Sequence, residues 1–339
     1  MQQQRREIRA MKLCVIAGDG IGREVVPQAL RVLQALLPAL QVVEAEAGWD
    51  TFCQQGTALP AATLAAARDC GAVIFGAVSS PAHKVAGYRS PIVQLRRELG
   101  CHANLRPTLS LPGCGADGID LLIVRENTED LYIGEEQSDG DTATAIKRIT
   151  RAASQRVAQS AYQLALAEGR QRLTIVHKAN ILPLTDGLFR DVARQVAAAY
   201  PQLQVDELLV DTAALKLAQA PQAFDVLLAP NLYGDILSDL AAAFGGGLGV
   251  AASLNLGEHA AIAEPVHGSA PDIAGQGIAN PVASLLSLAM LLRHWWQQPA
   301  LAARLEQAVR ATLAAGTRTP DLGGSASTAA YCDAVIGRL

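Results

Sequence analysis

The sequence predicts an α/β protein with a largely parallel sheet. Short apolar runs alternate along the chain with stretches of helical spacing, and each apolar run ends where glycine, polar or charged residues begin. Continuous apolar runs of this kind are typical of strands that are buried on both faces of a parallel sheet. Hydrophobic residues make up 50% and charged residues 18% of the 339 residues, which excludes a disordered or fibrous chain.

The elements follow from the runs in chain order. The predicted strands are residues 12–17, 41–45, 72–76, 121–124, 173–176, 208–210 and 226–229. Helical spacing predicts helices over residues 24–36 and 231–242. The uncharged stretch 240–257 is long enough for a membrane helix, but its five glycines and its polar residues predict a buried loop instead. Loop 264–281 is rich in Gly, Pro, Ser, Asp and Asn and predicts an ordered binding loop.

The chain length predicts about two domains at roughly 150 residues each. Breaks in the pattern fall at residues 107–118 and 245–257. They predict one lobe that contains both chain ends, residues 1–107 and 258–339, and a second lobe of residues 108–257.

The charge composition and the cysteines indicate which binding partners and which cellular compartment to expect. The net charge of -4 and the sequence pI of about 5.9 offer no basic surface for nucleic acid or an anionic membrane. Six cysteines are scattered without a metal-binding spacing, which predicts reduced thiols in a cytoplasmic protein. Residues 1–10 are polar and basic, so we expect no signal peptide, and either Met1 or Met11 can be the natural start.

The segment GDGIG at residues 18–22 follows the first predicted strand. A dinucleotide fingerprint G-x-G-x-x-G would need a third glycine where Arg23 stands. The segment therefore predicts a tight turn from strand to helix, not a Rossmann phosphate loop.

Several arginines suit an acidic small molecule. Arg96 and Arg106 lie at the two ends of the segment 96–106, and Arg125 follows after a loop at the end of the predicted strand 121–124. A guanidinium fork matches a carboxylate in shape and charge. Arg97 is instead predicted to be a solvated helix residue with Glu98 as its partner. Three guanidinium groups in an acidic chain predict a site for a di- or tricarboxylate.

Candidate metal ligands and proton-transfer groups stand near strand ends. A helix places Asp235 and Asp239 on one face, where a hard cation such as Mg²⁺ would relieve their repulsion. Alone such a pair is more often solvated, but Asp211, after the run 208–210, offers a third carboxylate. Lys178 directly follows a predicted strand, where a lysine has no packing role and a lowered pKa would make it a base. Tyr132 is either a surface residue or a phenol near the site.

Together these segments resemble the β-decarboxylating 2-hydroxyacid dehydrogenases, which include isocitrate, isopropylmalate, homoisocitrate and tartrate/D-malate dehydrogenases. GDGIG, RENTEDLY at 125–132, HKAN at 177–180, NLYGDILSD at 231–239 and loop 264–281 occur in family order between Lys12 and Leu339. The resemblance implies a two-lobed α/β/α fold of the isopropylmalate dehydrogenase type with a mostly parallel central sheet and no Rossmann fold.

The resemblance assigns roles by position. The implied proton-transfer residues are Lys178, which takes the hydroxyl proton, and Tyr132, which protonates the enol after CO₂ leaves. The implied ligands of Mg²⁺ or Mn²⁺ are Asp211, Asp235 and Asp239. The implied substrate-binding residues are Ser80, Ser90, Ile92, Arg96, Arg106, Arg125 and Asn180. The implied NAD-binding residues are Val78, Ser79, Asn180, His267, Gly268, Ser269, Ala270, Asp272 and Asn280.

The cofactor choice and the assembly also come from the resemblance. Asp272 stands where NAD-using members place an acid, and a carboxylate there would repel the 2′-phosphate of NADP. In the family, the residues at the positions of Lys178, Asn180 and Asp211 reach into the neighbouring subunit's site. We therefore expect a homodimer with shared sites, or a tetramer made of two such dimers.

The segment 84–107 is most similar to homoisocitrate dehydrogenases, although Ile92 alone would also allow isopropylmalate. We expect oxidation of homoisocitrate by NAD to 2-oxoadipate, CO₂ and NADH, in lysine synthesis. Isocitrate, isopropylmalate and tartrate/D-malate are the alternatives. A non-catalytic regulatory subunit is a further alternative, but it would be expected to lose Lys178, Tyr132 or a metal aspartate, and this chain keeps all of them.

Overall fold

The computed structural model describes residues 11–83 and 85–339. The predicted absence of a signal peptide in residues 1–10, the alternative start Met1, and Lys84 of the segment 84–107 lie outside the described residues. Contacts divide the described chain into two compact units, which we call unit 1 (residues 11–99 and 259–339) and unit 2 (residues 100–258).

Apolar runs form the strands where the sequence predicts them. Over the part of the chain that is described, the strands are β1 Lys12–Gly18, β2 Gln41–Glu44, β3 Ala72–Ala77, β4 Ala103–Leu109, β5 Asp120–Glu126, β6 Glu136–Ser138, β7 Ala143–Ala145, β8 Arg172–His177, β9 Gln204–Leu209, β10 Val226–Ala229, β11 Leu254–Leu256 and β12 Ala261–Ala263.

The helices alternate with these strands. Within the same described ranges they are α1 Gly22–Leu36, α2 Trp49–Gln55, α3 Ala61–Cys70, α4 Pro91–Glu98, α5 Arg151–Ala167, α6 Thr185–Ala197, α7 Val210–Gln219, α8 Asn231–Gly245, α9 Val282–Met290, α10 Pro299–Ala314 and α11 Thr328–Ile336. Short 3-10 turns occur at Leu131–Ile133, Pro221–Ala223, Leu248–Val250 and Pro320–Leu322, and a π turn occurs at Leu291–Trp295.

Parallel pairing dominates in both units. In unit 1 the strand order is β2-β1-β3-β12, and every pair is parallel. In unit 2 the order is β11-β4-β5-β10-β8-β9, with antiparallel pairs only where β4 meets β11 and β5. Strands β6 and β7 form a separate antiparallel hairpin. The predicted α/β fold with a mostly parallel sheet is confirmed.

The strand interiors supply the cores. Leu13, Ile16 and Ile74 of unit 1 are completely buried, as are Ile123 and Leu227 of unit 2. Each such side chain contributes about 1.5 to 3 kcal/mol by leaving water, and helices pack against the strands on which these residues lie. The sheets therefore provide a rigid base for the residues that follow the strand ends.

Two local predictions differ from the structure. The expected loop over 240–257 was wrong for residues 240–245, because α8 continues through this alanine-rich stretch until Gly246, at φ +113°, ends it. It was also wrong for residues 254–256, which form β11 beside β4. The predicted lobe boundaries after Pro107 and residue 257 lie at 99/100 and 258/259 in the structure. Pro107 falls inside β4, whose pairing with β5 includes it in unit 2.

No helix within the described residues has both the length and the apolar character needed to cross a bilayer. All six cysteines are free thiols.

Candidate active site

The GDGIG segment forms a tight turn between β1 and α1, as predicted. A Cβ atom on Gly18 would lie 1.9 Å from the carbonyl oxygen of Ala77, and one on Gly20 would lie 2.1 Å from that of Ser269. The amide of Ile21 donates to the same Ser269 oxygen at 2.9 Å. The glycines are needed because the turn touches two other backbone segments, which accounts for the motif without a phosphate loop.

Asp19, within this turn, is a buried carboxylate that sequence reasoning missed. Its oxygens accept from the backbone amides of Trp49, Asp50 and Ser79 at 2.8, 3.2 and 2.9 Å. A carboxylate with several amide donors can be buried at little cost. Asp19 thereby fixes the segment around Ser79 that is predicted to bind the cofactor.

Loop 264–281 contains no helix or strand, as predicted, yet it is held in place. The hydroxyls of Ser79 and Ser269 are 2.8 Å apart, and Asn280 donates to Asp321 at 2.9 Å. Ala270 adopts φ +38°, a strained conformation that tends to occur at binding sites. The loop therefore places six of the predicted NAD-binding residues on an ordered segment next to Val78 and Ser79.

The same loop offers groups that fit NAD. Nε2 of His267 is buried and has no hydrogen-bond partner among the described residues. Burial lowers the pKa of His267, which keeps the imidazole neutral at pH 7. Gly268 and Asp272 are exposed on the loop. A buried ring nitrogen without a partner and an exposed carboxylate suit a neutral amide and ribose hydroxyls respectively.

The predicted substrate-binding residues of unit 1 lie between β3 and the end of α4. Ser80 is exposed, Ser90 directly precedes α4, and Ile92 and Arg96 are buried on α4. A guanidinium nitrogen of Arg96 lies 2.7 Å from a carboxylate oxygen of Glu264, the first residue of loop 264–281. Sequence reasoning missed Glu264, because the two residues are 168 positions apart.

Arg125 of β5 is the largest completely buried side chain in unit 2 and the centre of a charged cluster. Its Nε and Nη2 donate to Oδ1 of Asn231 at 2.9 and 2.7 Å, and Nη1 pairs with Asp235. The guanidinium carbon lies 4.8 Å from the centre of the Tyr132 ring. A Cβ on Gly234 would lie 2.7 Å from the Arg125 side chain, so the glycine in NLYGD lets α8 approach the arginine.

Asp235 and Asp239 lie close together, as the helical spacing predicts. Nη1 of Arg106 is 3.1 Å from an oxygen of each carboxylate and donates to Ser238 at 2.8 Å. The hydroxyl of Tyr132 donates to the second oxygen of Asp235. The structure therefore brings together two predicted substrate-binding arginines, two predicted metal ligands and one predicted proton donor.

The protonation states of this cluster follow from burial and neighbouring charges. Burial raises the pKa of Asp239, and the charge of Asp235 adds to the rise, while Arg106 opposes it. Burial raises the pKa of Tyr132 more than the charge of Arg125 lowers it, and the bond to Asp235 raises it further. The phenol is therefore protonated at neutral pH and can act as a proton donor.

Lys178 and Asp211 form a second pair in unit 2. Lys178 directly follows β8, as predicted, and its Nζ lies 2.5 Å from Asp211. Asp211 does not end a strand, because β9 stops at Leu209 and Asp211 lies in the first turn of α7, where the helix dipole favours an acid. Lys178 lowers the pKa of the Asp211 carboxyl. Asn180 is exposed nearby in sequence.

The chain by itself supplies part of a metal site. Within residues 11–83 and 85–339, no three His, Cys, Asp or Glu side chains gather as a possible metal site. Asp211 thus does not join the other two aspartates within one chain. The pair Asp235 and Asp239 fits Mg²⁺ or Mn²⁺, because both donors are hard carboxylate oxygens and their mutual repulsion would be relieved by a dication.

Known proteins are similar to this chain over nearly its whole length. A family model described as isocitrate/isopropylmalate dehydrogenase matches residues 12–336. An isocitrate/homoisocitrate dehydrogenase of Thermus thermophilus is 50% identical over 331 residues, which cover 97% of this chain and 99% of that protein. A 3-isopropylmalate dehydrogenase of Archaeoglobus fulgidus is 47% identical, with 97% and 99% covered.

A solved structure is also similar. The crystal structure of isocitrate dehydrogenase from Methylococcus capsulatus matches with a TM-score of 0.92 and 42% sequence identity, covering 96% of this chain and 98% of that one.

Proposed function

This chain belongs to the isocitrate/isopropylmalate dehydrogenase family of decarboxylating dehydrogenases, and we propose that it oxidises homoisocitrate with NAD, releasing CO₂ and 2-oxoadipate. The observation that carries the proposal is the cluster of unit 2. There Tyr132 donates to Asp235, which also faces Arg106 and Arg125. A proton donor, a carboxylate pair and two guanidinium groups are what this chemistry requires of a protein.

The chain's own residues bind the acid and move its protons. Arg96, Arg106 and Arg125 hold the substrate carboxylates, because guanidinium groups pair with them in a bidentate manner. Lys178 takes the proton of the substrate hydroxyl, and Tyr132 returns a proton after CO₂ leaves. When bound, NAD supplies the hydride acceptor, and Mg²⁺ or Mn²⁺ held by Asp235, Asp239 and Asp211 supplies a Lewis acid.

We propose a homodimer in which each site uses Lys178, Asn180 and Asp211 of the other subunit. Asp211 does not join Asp235 and Asp239 in one chain, and exposed apolar side chains accompany these residues in sequence. Ile181 directly follows Asn180, Leu215 lies one helical turn after Asp211, and Ile236 directly follows Asp235; they are 66%, 57% and 57% exposed. Apolar residues at such exposure favour a partner surface.

Homoisocitrate is favoured by the segment 84–107 around α4, which is most similar to homoisocitrate dehydrogenases. The relative from Thermus thermophilus also has homoisocitrate in its name, together with isocitrate. Isopropylmalate is a second candidate, because Ile92 is an apolar residue at the substrate-selecting position. The free thiols support a cytoplasmic location for an enzyme of lysine synthesis.

The test is an assay of the purified protein with homoisocitrate, isocitrate, isopropylmalate and D-malate, each with NAD and with NADP. We expect the highest kcat/KM with homoisocitrate and NAD in the presence of Mn²⁺, 2-oxoadipate as the product by mass spectrometry, and no turnover in excess EDTA. A higher kcat/KM with isopropylmalate would establish the second candidate instead. Failure with all acids and metals would indicate a regulatory subunit.

A further inference from the structure

A buried lysine in unit 2 contacts three separate chain segments. Lys147 follows the hairpin of β6 and β7, and only 13% of its side chain is exposed. Its Nζ lies 2.6 Å from Asp186, 3.5 Å from Asp130 and 4.4 Å from the centre of the Tyr233 ring. Both aspartates are completely buried. This group of Lys147, Asp130, Asp186 and Tyr233 is called the Lys147 cluster below.

Each aspartate of the cluster holds a backbone segment that carries a proposed functional residue. The second oxygen of Asp186 accepts from the amide of Lys178 at 2.7 Å. The second oxygen of Asp130 accepts from the amide of Leu232 at 2.9 Å, within the first turn of α8. Asp130 also directly precedes the 3-10 turn of Tyr132 and adopts φ +67°, a conformation that non-glycine residues rarely adopt.

Tyr233 completes the connection to the aspartates of α8. It lies on this helix two residues before Asp235, and its ring faces the ammonium group of Lys147. Lys147 therefore contacts Asp186, which accepts from the amide of Lys178, and Asp130 and Tyr233, which lie two residues before Tyr132 and Asp235 respectively. Lys178, Tyr132 and Asp235 are the base, the acid and a metal ligand of the proposed reaction.

The stability of the Lys147 cluster depends on the positive charge of the lysine. Two buried carboxylates and one ammonium carry a formal charge of −1, and removal of the lysine would leave two uncompensated buried charges. Burial lowers the pKa of Lys147, but the bond to Asp186 and the charge of Asp130 outweigh this and raise it. The ammonium group is therefore charged throughout the neutral range, as its contacts require.

We propose that Lys147 is a positioning residue that sets the place of Lys178, which serves one active site of the proposed dimer, and the places of Tyr132 and the first turn of α8, which serve the other. It acts through Asp186, Asp130 and Tyr233 and does not touch the substrate. The inference rests on the proposed function for the identity of the groups that are positioned. A displacement of about 1 Å at such groups can reduce turnover roughly 100-fold while the substrate still binds.

The experiment compares Lys147→Met, Lys147→Arg and the matched control Lys12→Met, which removes an exposed lysine paired with Asp69 in unit 1. For each protein kcat, the KM of the acid, the KM of NAD and Tm are measured. We expect Lys147→Met to lower kcat about 100-fold with both KM values within threefold of wild type. Lys147→Arg should recover kcat to within about tenfold of wild type, because it restores the charge, and Lys12→Met should match wild type.

Two outcomes would overturn the proposal. One is a kcat of Lys147→Met within threefold of wild type. The other is a decrease in kcat that is fully explained by a smaller fraction of folded protein. The fraction of intact sites is measured by NADH titration. If Lys147→Met does not fold, the double variant Lys147→Met/Asp186→Asn is used, because it keeps the formal charge of −1. Full turnover by that variant also contradicts the proposal.

Failure of the proposed function is distinguishable from failure of this inference. All variants are measured with whichever acid the wild type oxidises fastest, so a different substrate leaves the comparison intact. A wild type without turnover on any acid rejects the function, and then the position of Lys178 is followed by its rate of amine labelling. A labelling rate that is equal in wild type and Lys147→Met would reject the positioning role as well.

Discussion

The two units differ in how many large apolar side chains they expose. Among the described residues, the exposed large apolar side chains lie in unit 2, with Val43 of unit 1 as the exception. Unit 2 exposes Leu131, Ile146, Leu166, Ile181, Leu184, Leu215, Ile236 and Leu248. Large apolar side chains that are exposed in one unit are expected to be covered there by a partner.

The polar groups of the two units differ as well. In unit 1, Asp19 and the glycines of the GDGIG turn hold loop 264–281 and Ser79 mainly through backbone contacts. In unit 2, the buried Arg106 and Arg125 pair with the partly exposed Asp235, and Lys178 pairs with Asp211. The contacts that order the proposed cofactor segment of unit 1 thus lie within one chain, whereas under the proposed dimer the site of unit 2 takes residues from a second copy.

The largest expected effect concerns proton transfer in unit 2. We expect Lys178→Ala and Tyr132→Phe to lower kcat by about 10²- to 10⁴-fold, because each removes a group that moves a proton in the reaction. Steady-state NADH formation measures this, and circular dichroism checks that the fold is intact. Tyr200→Phe, a tyrosine stacked on Tyr162 in the same unit, is the control. Near-normal rates for either variant would remove that residue from the mechanism.

The next effect concerns the partner surface. Leu184 is 85% exposed and occupies the N-cap of α6 without a capping side-chain bond. Aspartate is a favoured N-cap residue, so Leu184→Asp should fold, but its charge should separate the dimer. Light scattering should then report monomers with little turnover. Val43→Asp in unit 1 should remain dimeric, and a dimeric Leu184→Asp protein would contradict the proposed surface.

Mixed dimers test whether each site combines residues of two subunits. If each site combines Tyr132 of one subunit with Lys178 of the other, a dimer of Lys178→Ala and Tyr132→Phe chains retains one intact site. Random pairing would then restore about a quarter of wild-type turnover, because half of the dimers are mixed and one of the two sites in each mixed dimer is intact. Absence of recovery after confirmed subunit exchange would place Lys178 and Tyr132 in the same chain's site.

The smallest effect concerns the cofactor loop of unit 1. Asp272→Ala should raise the ratio of kcat/KM for NADP to that for NAD by about tenfold, or ~1.4 kcal/mol, because it removes a carboxylate that repels the 2′-phosphate. Asp333→Ala, at an exposed ion pair with Arg31 in the same unit, should leave the ratio unchanged. An unchanged ratio in Asp272→Ala would show that another residue selects the cofactor.

The sequence alone predicted seven of the described strands, the motifs, and the proximity of neighbours on one helix, but not β4, β6, β7, β11 and β12. Apolar runs such as those of β1 and β10 are local signals, because a buried strand needs continuous apolar residues. The spacing of Asp235 and Asp239 predicts their proximity for the same reason, since helical geometry joins residues four apart. Asp211 was misplaced by one element, because a strand end and a helix start share the same few residues.

The tertiary structure decided which charges meet. Arg96 pairs with Glu264, Asp19 accepts from Ser79, and Lys147 lies between Asp130 and Asp186. No periodicity marks such pairs, because the partners come from different strands and loops and are matched by burial rather than by spacing. A buried charge must find its partner wherever the folded chain brings one, so only the folded chain shows where the positioning groups lie.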